Sequence, residues 1–256
     1  MYLRKWESLP LEMQTPEVRK YYDILKKKSL SLFFKRAFDI VVSALMLIAL
    51  SPVFLVLAVA IKIDSRGPVF FRQVRITQYN EKFKIFKFRS MVQDADKGCS
   101  LTLTDDDRIT RMGKFMRKSR LDEISQLIDV FRGTMTFVGT RPEVLKYVDQ
   151  YTPEMMATLL LPAGITSLAS IYYKDEAKLY DAAKDVDVSY IEDVLPIKMK
   201  HNLEAIEKFS FWGDIKIMFM TFFAVLGKEY VDCDENVVSE MPKRLDEPEQ
   251  REEICK

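Results

Sequence analysis

Residues 40–61 read IVVSALMLIALSPVFLVLAVAI. No charge interrupts them, and at about 1.5 Å per residue the run is long enough to cross a bilayer core of roughly 30 Å. The segment starts too far from the N-terminus and runs too long for a cleavable signal peptide, and no small-x-small site follows it. It is expected to stay in the membrane. At its centre stands Ser51-Pro52. A proline there removes one helix hydrogen bond and clashes with the preceding turn, so a kink or break is predicted. Each half is then about eleven residues, roughly 16 Å, which reaches mid-bilayer and not across it.

Two geometries compete: a kinked helix that spans, and a re-entrant helix-break-helix whose ends emerge on one side. Lys26, Lys27, Lys28, Lys35 and Arg36 precede the segment, and Lys62, Arg66, Arg72 and Arg75 follow it. The positive-inside rule draws both ends to the cytoplasm, which only the re-entrant form satisfies.

The surrounding chain narrows the chemistry. With 256 residues, 48% of them hydrophobic, it has material for a sizeable core. Its 39 Lys and Arg nearly cancel its 38 Asp and Glu, so no wholesale binding of nucleic acid is expected and any basic site is local. A single histidine, His201, excludes a multi-histidine zinc centre and leaves any histidine-based triad resting on one residue. Cys99, Cys233 and Cys255 form no CxxC pair, which fits a reducing compartment without a disulfide framework. Neither G-x-G-x-x-G nor a Walker loop occurs.

The expected architecture is mixed α/β and mostly helical. It comprises a charged, helical N-terminal extension (1–34), the membrane segment (35–63), a cytoplasmic domain (64–228) and a charged, poorly ordered tail (229–256). After Gly67-Pro68, apolar and basic residues alternate around Tyr79-Asn80, which predicts a small β-hairpin. Asp105-Asp106-Asp107 reads as a loop or helix-start feature rather than a metal site.

From Leu121 the apolar residues Leu121, Ile124, Leu127, Ile128 and Phe131 recur at helical spacing. That places Asp122 opposite the buried face and Glu123 at its edge. Ser119-x-x-Asp122 matches a capping box, and acids in a first helical turn are commonplace. Their company is less ordinary: Arg108, Arg111, Lys114, Arg117, Lys118 and Arg120 crowd upstream, and Gly139-Thr140-Arg141-Pro142 presents an arginine on a rigid turn. Concentrated cations keep a carboxylate ionised and attract a polyphosphate, and a guanidinium fork suits phosphate oxygens. Near the end, FSFWGDIKIMFMTFFAVLG is aromatic but broken by Asp214 and Lys216. The uninterrupted remainder is too short to span, and it suits an interfacial amphipathic helix or, almost equally, a core helix.

The pieces KRAFDIVVSALMLIALSP, GPVFFRQVR, FKIFKFRSM, DDDRITRMGKFMRKSRLDEISQL, FRGTMTFVGTRPEV, PAGIT and FSFWGDIKIMFMT together resemble the monotopic phosphoglycosyl transferases, or bacterial sugar transferases. They run in the family's order from about Lys35 to about Gly227. The resemblance implies a re-entrant anchor broken at Ser51 and Pro52, entering the bacterial inner membrane from its cytoplasmic face. It implies a catalytic dyad of Asp122 and Glu123 that also holds Mg²⁺, with Lys87, Arg89, Arg117 and Arg141 as phosphate or nucleotide ligands.

The implied reaction moves a sugar-1-phosphate from a UDP-sugar to a polyprenyl phosphate such as undecaprenyl phosphate. UMP leaves and a phosphosugar-Asp122 intermediate forms, as a first membrane step of exopolysaccharide, capsule or lipopolysaccharide biosynthesis. Implied partners are the phospholipid membrane, downstream glycosyltransferases and a second copy in a homodimer. The chain departs from the family at Thr140, commonly proline, at Ile124-Ser125 for Leu-Pro, and at PAGITSLAS, where the family more often has a loop with Gly-Trp-Ala-Gln. An inactive membrane-anchored scaffold and an Mg²⁺-dependent nucleotide-sugar hydrolase are the competing readings.

Overall fold

The computed structural model describes residues 3–92, 106–173, 186–227 and 230. The Asp run is therefore described only from Asp106, and of the tail expected at 229–256 all but Tyr230 lies outside the described residues.

Helix α1 (Pro16–Lys27) starts where Thr15 accepts a hydrogen bond from the Val18 amide and Pro16 takes the first turn. It buries Val18, Tyr21, Tyr22 and Leu25, an i, i+3, i+4, i+7 stripe. That stripe packs with Leu9 and Met13 against Ala157, Leu160, Ile206 and Phe209 from the second half of the chain. The N-terminal extension is thus part of the main core.

Helix α2 (Ser29–Ala49) and helix α3 (Ser51–Asp64) meet at a 61° bend. The sequence boundary at 34/35 falls inside α2. Among the described residues no single helix is long and apolar enough to cross a membrane; the bent pair passes together, by length and composition, as a broken span or re-entrant loop. Pro52 cannot donate to the Ile48 carbonyl, and the Ser51 hydroxyl donates to that carbonyl at 2.8 Å instead. Leu45, Ile48, Leu55, Val56 and Val59 all face outward. The inward stripe of α2 is Leu32, Lys35, Asp39 and Ser43, so the flanking charge Lys35 turns out to be buried rather than solvated.

The expected hairpin is present: β2 (Val74–Ile76) pairs antiparallel with β3 (Lys82–Lys84) around Tyr79 and Asn80, both at positive φ. A second antiparallel pair, β1 (Phe70–Phe71) with β4 (Lys87–Phe88), lies beside it. Helix α4 (Arg111–Lys118) packs so closely on the chain after β4 that a Cβ on Gly113 would lie 1.9 Å from the Ser90 carbonyl oxygen.

The sequence reading of a capped α-helix through the acidic pair needs correction. Ser119 ends α4, its hydroxyl donating to the Phe115 carbonyl, so it is no N-cap for Asp122. Arg120 then adopts a left-handed conformation (φ 55°), and Leu121–Gln126 form a 3-10 turn before α5 (Leu127–Arg132). On this turn Asp122 (2% exposed), Ser125 and Gln126 are buried, whereas Leu121 and Ile124 are only partly buried and Phe131 is exposed, so the apolar stripe read from the sequence is not the buried face.

Gly133, at φ 90°, closes α5 with its amide on the Asp129 and Val130 carbonyls. Strand β5 (Met135–Val138) follows and pairs parallel with β6 (Ala163–Thr166), Met135 opposite Ala163. Short helices α6 (Leu145–Val148), α7 (Leu168–Tyr172) and α8 (Val186–Ser189) precede α9 (Leu195–Glu207). Helix α10 (Phe211–Val225) is capped by Ser210, which accepts from the Gly213 amide. It buries Ile217 and leaves Trp212, Phe219, Phe222 and Phe223 exposed, which a core helix would not.

Candidate active site

Asp122 and Glu123 sit on the 3-10 turn, facing the end of β4 and the loop after β5. Lys87 Nζ lies 3.0 Å from Asp122 Oδ2 and 3.4 Å from Glu123 Oε1. Arg141 Nη2 donates to the same Glu123 oxygen at 2.6 Å. Four of the residues singled out in the sequence therefore meet, from β4, the 3-10 turn and the Gly139–Pro142 loop. Burial raises the Glu123 pKa, but the Arg141, Lys87 and Arg120 charges outweigh it and hold the group well below the usual carboxylate range.

Arg117, on the last turn of α4, belongs to the same field. Burial lowers its pKa, and the nearby charges of Asp122, Asp106 and Glu123 oppose that shift. Arg89 is placed differently. Its Nη2 donates to the Ser65 carbonyl at 2.6 Å and to the Ser65 hydroxyl at 2.9 Å, closing the end of α3. It is 4% exposed, and these hydrogen bonds tie it to α3 and Ser65 and not to the acidic pair.

Two supports escaped the sequence reading. Asp129, buried on α5, accepts from the Phe86 amide at 2.7 Å and so holds the residue before Lys87 to the helix that continues the dyad turn. Arg75, counted in the sequence as a flanking cation, donates to the Pro142 carbonyl at 3.2 Å and lies 4.0 Å from Glu143. It braces the loop that carries Arg141. No local pattern links Arg75 to a loop 67 positions away.

A separate cavity of about 350 Å³ is lined by Thr140, Ser167, Tyr172, Asn202 and Phe209 among others, and neither carboxylate of the dyad borders it. Among the described residues no group of three or more His, Cys, Asp or Glu side chains is placed to hold a metal ion. Asp122 and Glu123 supply at most two carboxylates, and both already face cations. That donor set fits magnesium bound together with substrate phosphate oxygens, not a cage formed by protein alone.

Chemically, the site offers a buried carboxylate against an ammonium, flanked by a second carboxylate clamped by a guanidinium. Such an arrangement sets a buried carboxylate oxygen among groups that attract phosphate.

Comparison with known proteins points the same way. The chain is 36% identical over 198 residues to a UDP-N-acetylgalactosamine-undecaprenyl-phosphate N-acetylgalactosaminephosphotransferase of Aeromonas hydrophila, covering 76% of this chain and 44% of that one. It is also 36% identical over 194 residues to a UDP-glucose:undecaprenyl-phosphate glucose-1-phosphate transferase of Escherichia coli K12, covering 74% and 39%. A Caulobacter vibrioides protein of that same description is 32% identical over 75% of this chain and 69% of its own length. The chain thus spans about two fifths of the first two relatives and more of the third. Residues 30–228 match the model of the family described as bacterial sugar transferase. With most of its length inside that match, the chain belongs to the bacterial sugar transferase family.

Proposed function

We propose that this chain transfers a sugar-1-phosphate from a UDP-sugar to a polyprenyl phosphate, undecaprenyl phosphate in the first instance, at the cytoplasmic face of the bacterial inner membrane. The observation that carries the reading is the pairing of buried Asp122 with Lys87, beside a Glu123 held ionised by Arg141.

An Asp122 carboxylate oxygen attacks the β-phosphorus. The bond from that phosphorus to the bridging oxygen breaks, and UMP leaves with the bridging oxygen and its electron pair. A phosphate oxygen of the polyprenyl phosphate then attacks the phosphosugar on Asp122, giving the polyprenyl diphosphate sugar and freeing the carboxylate. Dividing the transfer lets a soluble donor and a lipid acceptor use one site in turn.

Lys87, Arg117 and Arg141 neutralise the phosphate oxygens as anionic reactants approach an anionic nucleophile. Asp122 and Glu123 would hold a magnesium ion in company with those oxygens, and its contribution when bound is charge neutralisation at the non-bridging positions. A site at the depth where a polyprenyl phosphate keeps its head group is supported by the re-entrant reading of α2 and α3 and by the exposed aromatic face of α10. Homologues that act on undecaprenyl phosphate support the acceptor, and their different sugars leave the donor sugar open.

The test is UMP release from a panel of UDP-sugars with Mg²⁺ in nanodiscs, with and without undecaprenyl phosphate, and with Asp122→Asn alongside. Lipid-dependent UMP from one sugar, lost in the variant, is the expected result. No UMP from any sugar by folded protein supports an inactive scaffold, and lipid-independent turnover supports a hydrolase.

A further inference from the structure

Helix α2 carries a second constellation, apart from the dyad. Lys35 and Asp39 are 3% and 1% exposed, on a helix that turns Phe34, Val41, Leu45 and Ile48 outward. Lys35 Nζ donates to the Val138 carbonyl at 2.7 Å and pairs with Asp214 of α10. Asp39 accepts from the Thr136 hydroxyl at 2.7 Å and from the Phe137 amide at 3.4 Å. Arg36 donates from its two terminal nitrogens to the Val130 and Phe131 carbonyls, at 2.7 and 2.9 Å.

These contacts fall at both ends of one piece of chain. Arg36 holds the last turn of α5, the helix that continues the dyad turn. Asp39 and Lys35 hold β5 up to Val138, the residue before the Gly139–Pro142 loop and its Arg141. Through Asp214, Lys35 also holds the helix whose aromatic face is exposed. Lys35, Arg36, Asp39 and Asp214 sum to zero charge, and burying such a set costs desolvation that apolar packing avoids. Directional bonds add what apolar packing lacks: they fix the register of a helix that could otherwise slide along the domain.

We propose that Lys35, Arg36 and Asp39 are positioning residues that set the height of the dyad above the bilayer, and so act on the lipid half of the reaction. The inference rests on the transfer reading given above. A soluble nucleotide sugar reaches the dyad from water at any height. A polyprenyl phosphate presents its head group at one depth, so a displacement of the site is felt by the second substrate and not by the first. A misplacement of about 1 Å can cost about 10²-fold in rate.

The test uses the full chain in nanodiscs and reads two quantities for each variant. One is first-turnover UMP release without lipid; the other is kcat/KM for undecaprenyl phosphate. Arg36→Lys and Asp39→Asn are expected to lower kcat/KM for the lipid by about 10-fold or more and to leave first-turnover release within about 3-fold. Lys35→Met strands the Asp214 charge and should melt early, whereas Lys35→Met/Asp214→Asn should melt higher than that single variant and still show the lipid defect. Equal losses in both quantities would reduce these residues to general scaffolding and overturn the proposal. So would folded variants with wild-type lipid kinetics. Wild-type protein that releases no UMP would instead defeat the transfer reading, and this inference with it.

Discussion

Lys87 Nζ, on a strand, lies 3.0 Å from the Asp122 carboxylate on a 3-10 turn, and the same ammonium reaches Glu123 at 3.4 Å. One cation thus serves two adjacent carboxylates, while Arg141 donates to the second. Glu123 is tied to two cations through one oxygen, and the proposal of Asp122 as the nucleophile draws on that asymmetry.

Lys87→Met should therefore lower UMP release by about 10²- to 10³-fold, the scale for removing one preorganised charge at a reacting oxyanion. Asp122 is buried, so the loss of its cation should also lower the melting temperature. Without Lys87, Glu123 loses one of the charges that hold its carboxyl low, and the rate should acquire an acid limb at higher pH than in wild type.

Glu123 predicts a pH dependence of stability. Its folded-state pKa is depressed, through Arg141 and Lys87 against the effect of burial. The ionised group then stabilises the fold above its unfolded pKa of about 4.3, and that contribution is lost as pH falls below it. Urea unfolding should show this component constant from pH 8 to 5 and declining at lower pH. In Arg141→Gln the decline should begin at the same pH but be smaller and end at a higher pH.

The local features of this molecule were legible in its sequence, and the long-range ones were not. The break at Ser51-Pro52 follows from proline's missing N–H, and the hairpin around Tyr79-Asn80 from alternation. Asp122, Glu123, Lys87 and Arg141 were found through motif resemblance, and the fold brings them together. The capping box at Ser119 misled because a left-handed Arg120, which no pattern marks, separates α4 from the dyad turn. Lys35 counted as a flanking charge because its partner, Asp214, stands 179 residues away. Even so, Asp214 had a signal of its own: an acid inside an apolar run needs a buried cation or water.

Pro52→Ala restores an N–H that can donate to the Ile48 carbonyl, in competition with the Ser51 hydroxyl. The 61° bend between α2 and α3 should relax. Replacing Arg66 by cysteine in a background without Cys99, Cys233 and Cys255 gives a reporter just past α3. In intact cells an impermeant thiol reagent should leave it unlabelled with Pro52 present and label a fraction of it in Pro52→Ala. Labelling with Pro52 present would mean a spanning anchor.

Gly113→Ala puts a methyl 1.9 Å from the Ser90 carbonyl oxygen, so α4 must move off the chain that follows β4. Overpacking of this kind costs about 1–3 kcal/mol. Urea denaturation should show that loss, and UMP release should fall with it because Arg117 rides on α4.

The covalent step is tested most directly by the intact mass of the protein after incubation with its UDP-sugar and Mg²⁺, with no polyprenyl phosphate present. One added phosphosugar is expected, mapped to Asp122, absent from Asp122→Asn and discharged when undecaprenyl phosphate is supplied. UMP release that continues through many turnovers with no adduct on the protein would contradict it.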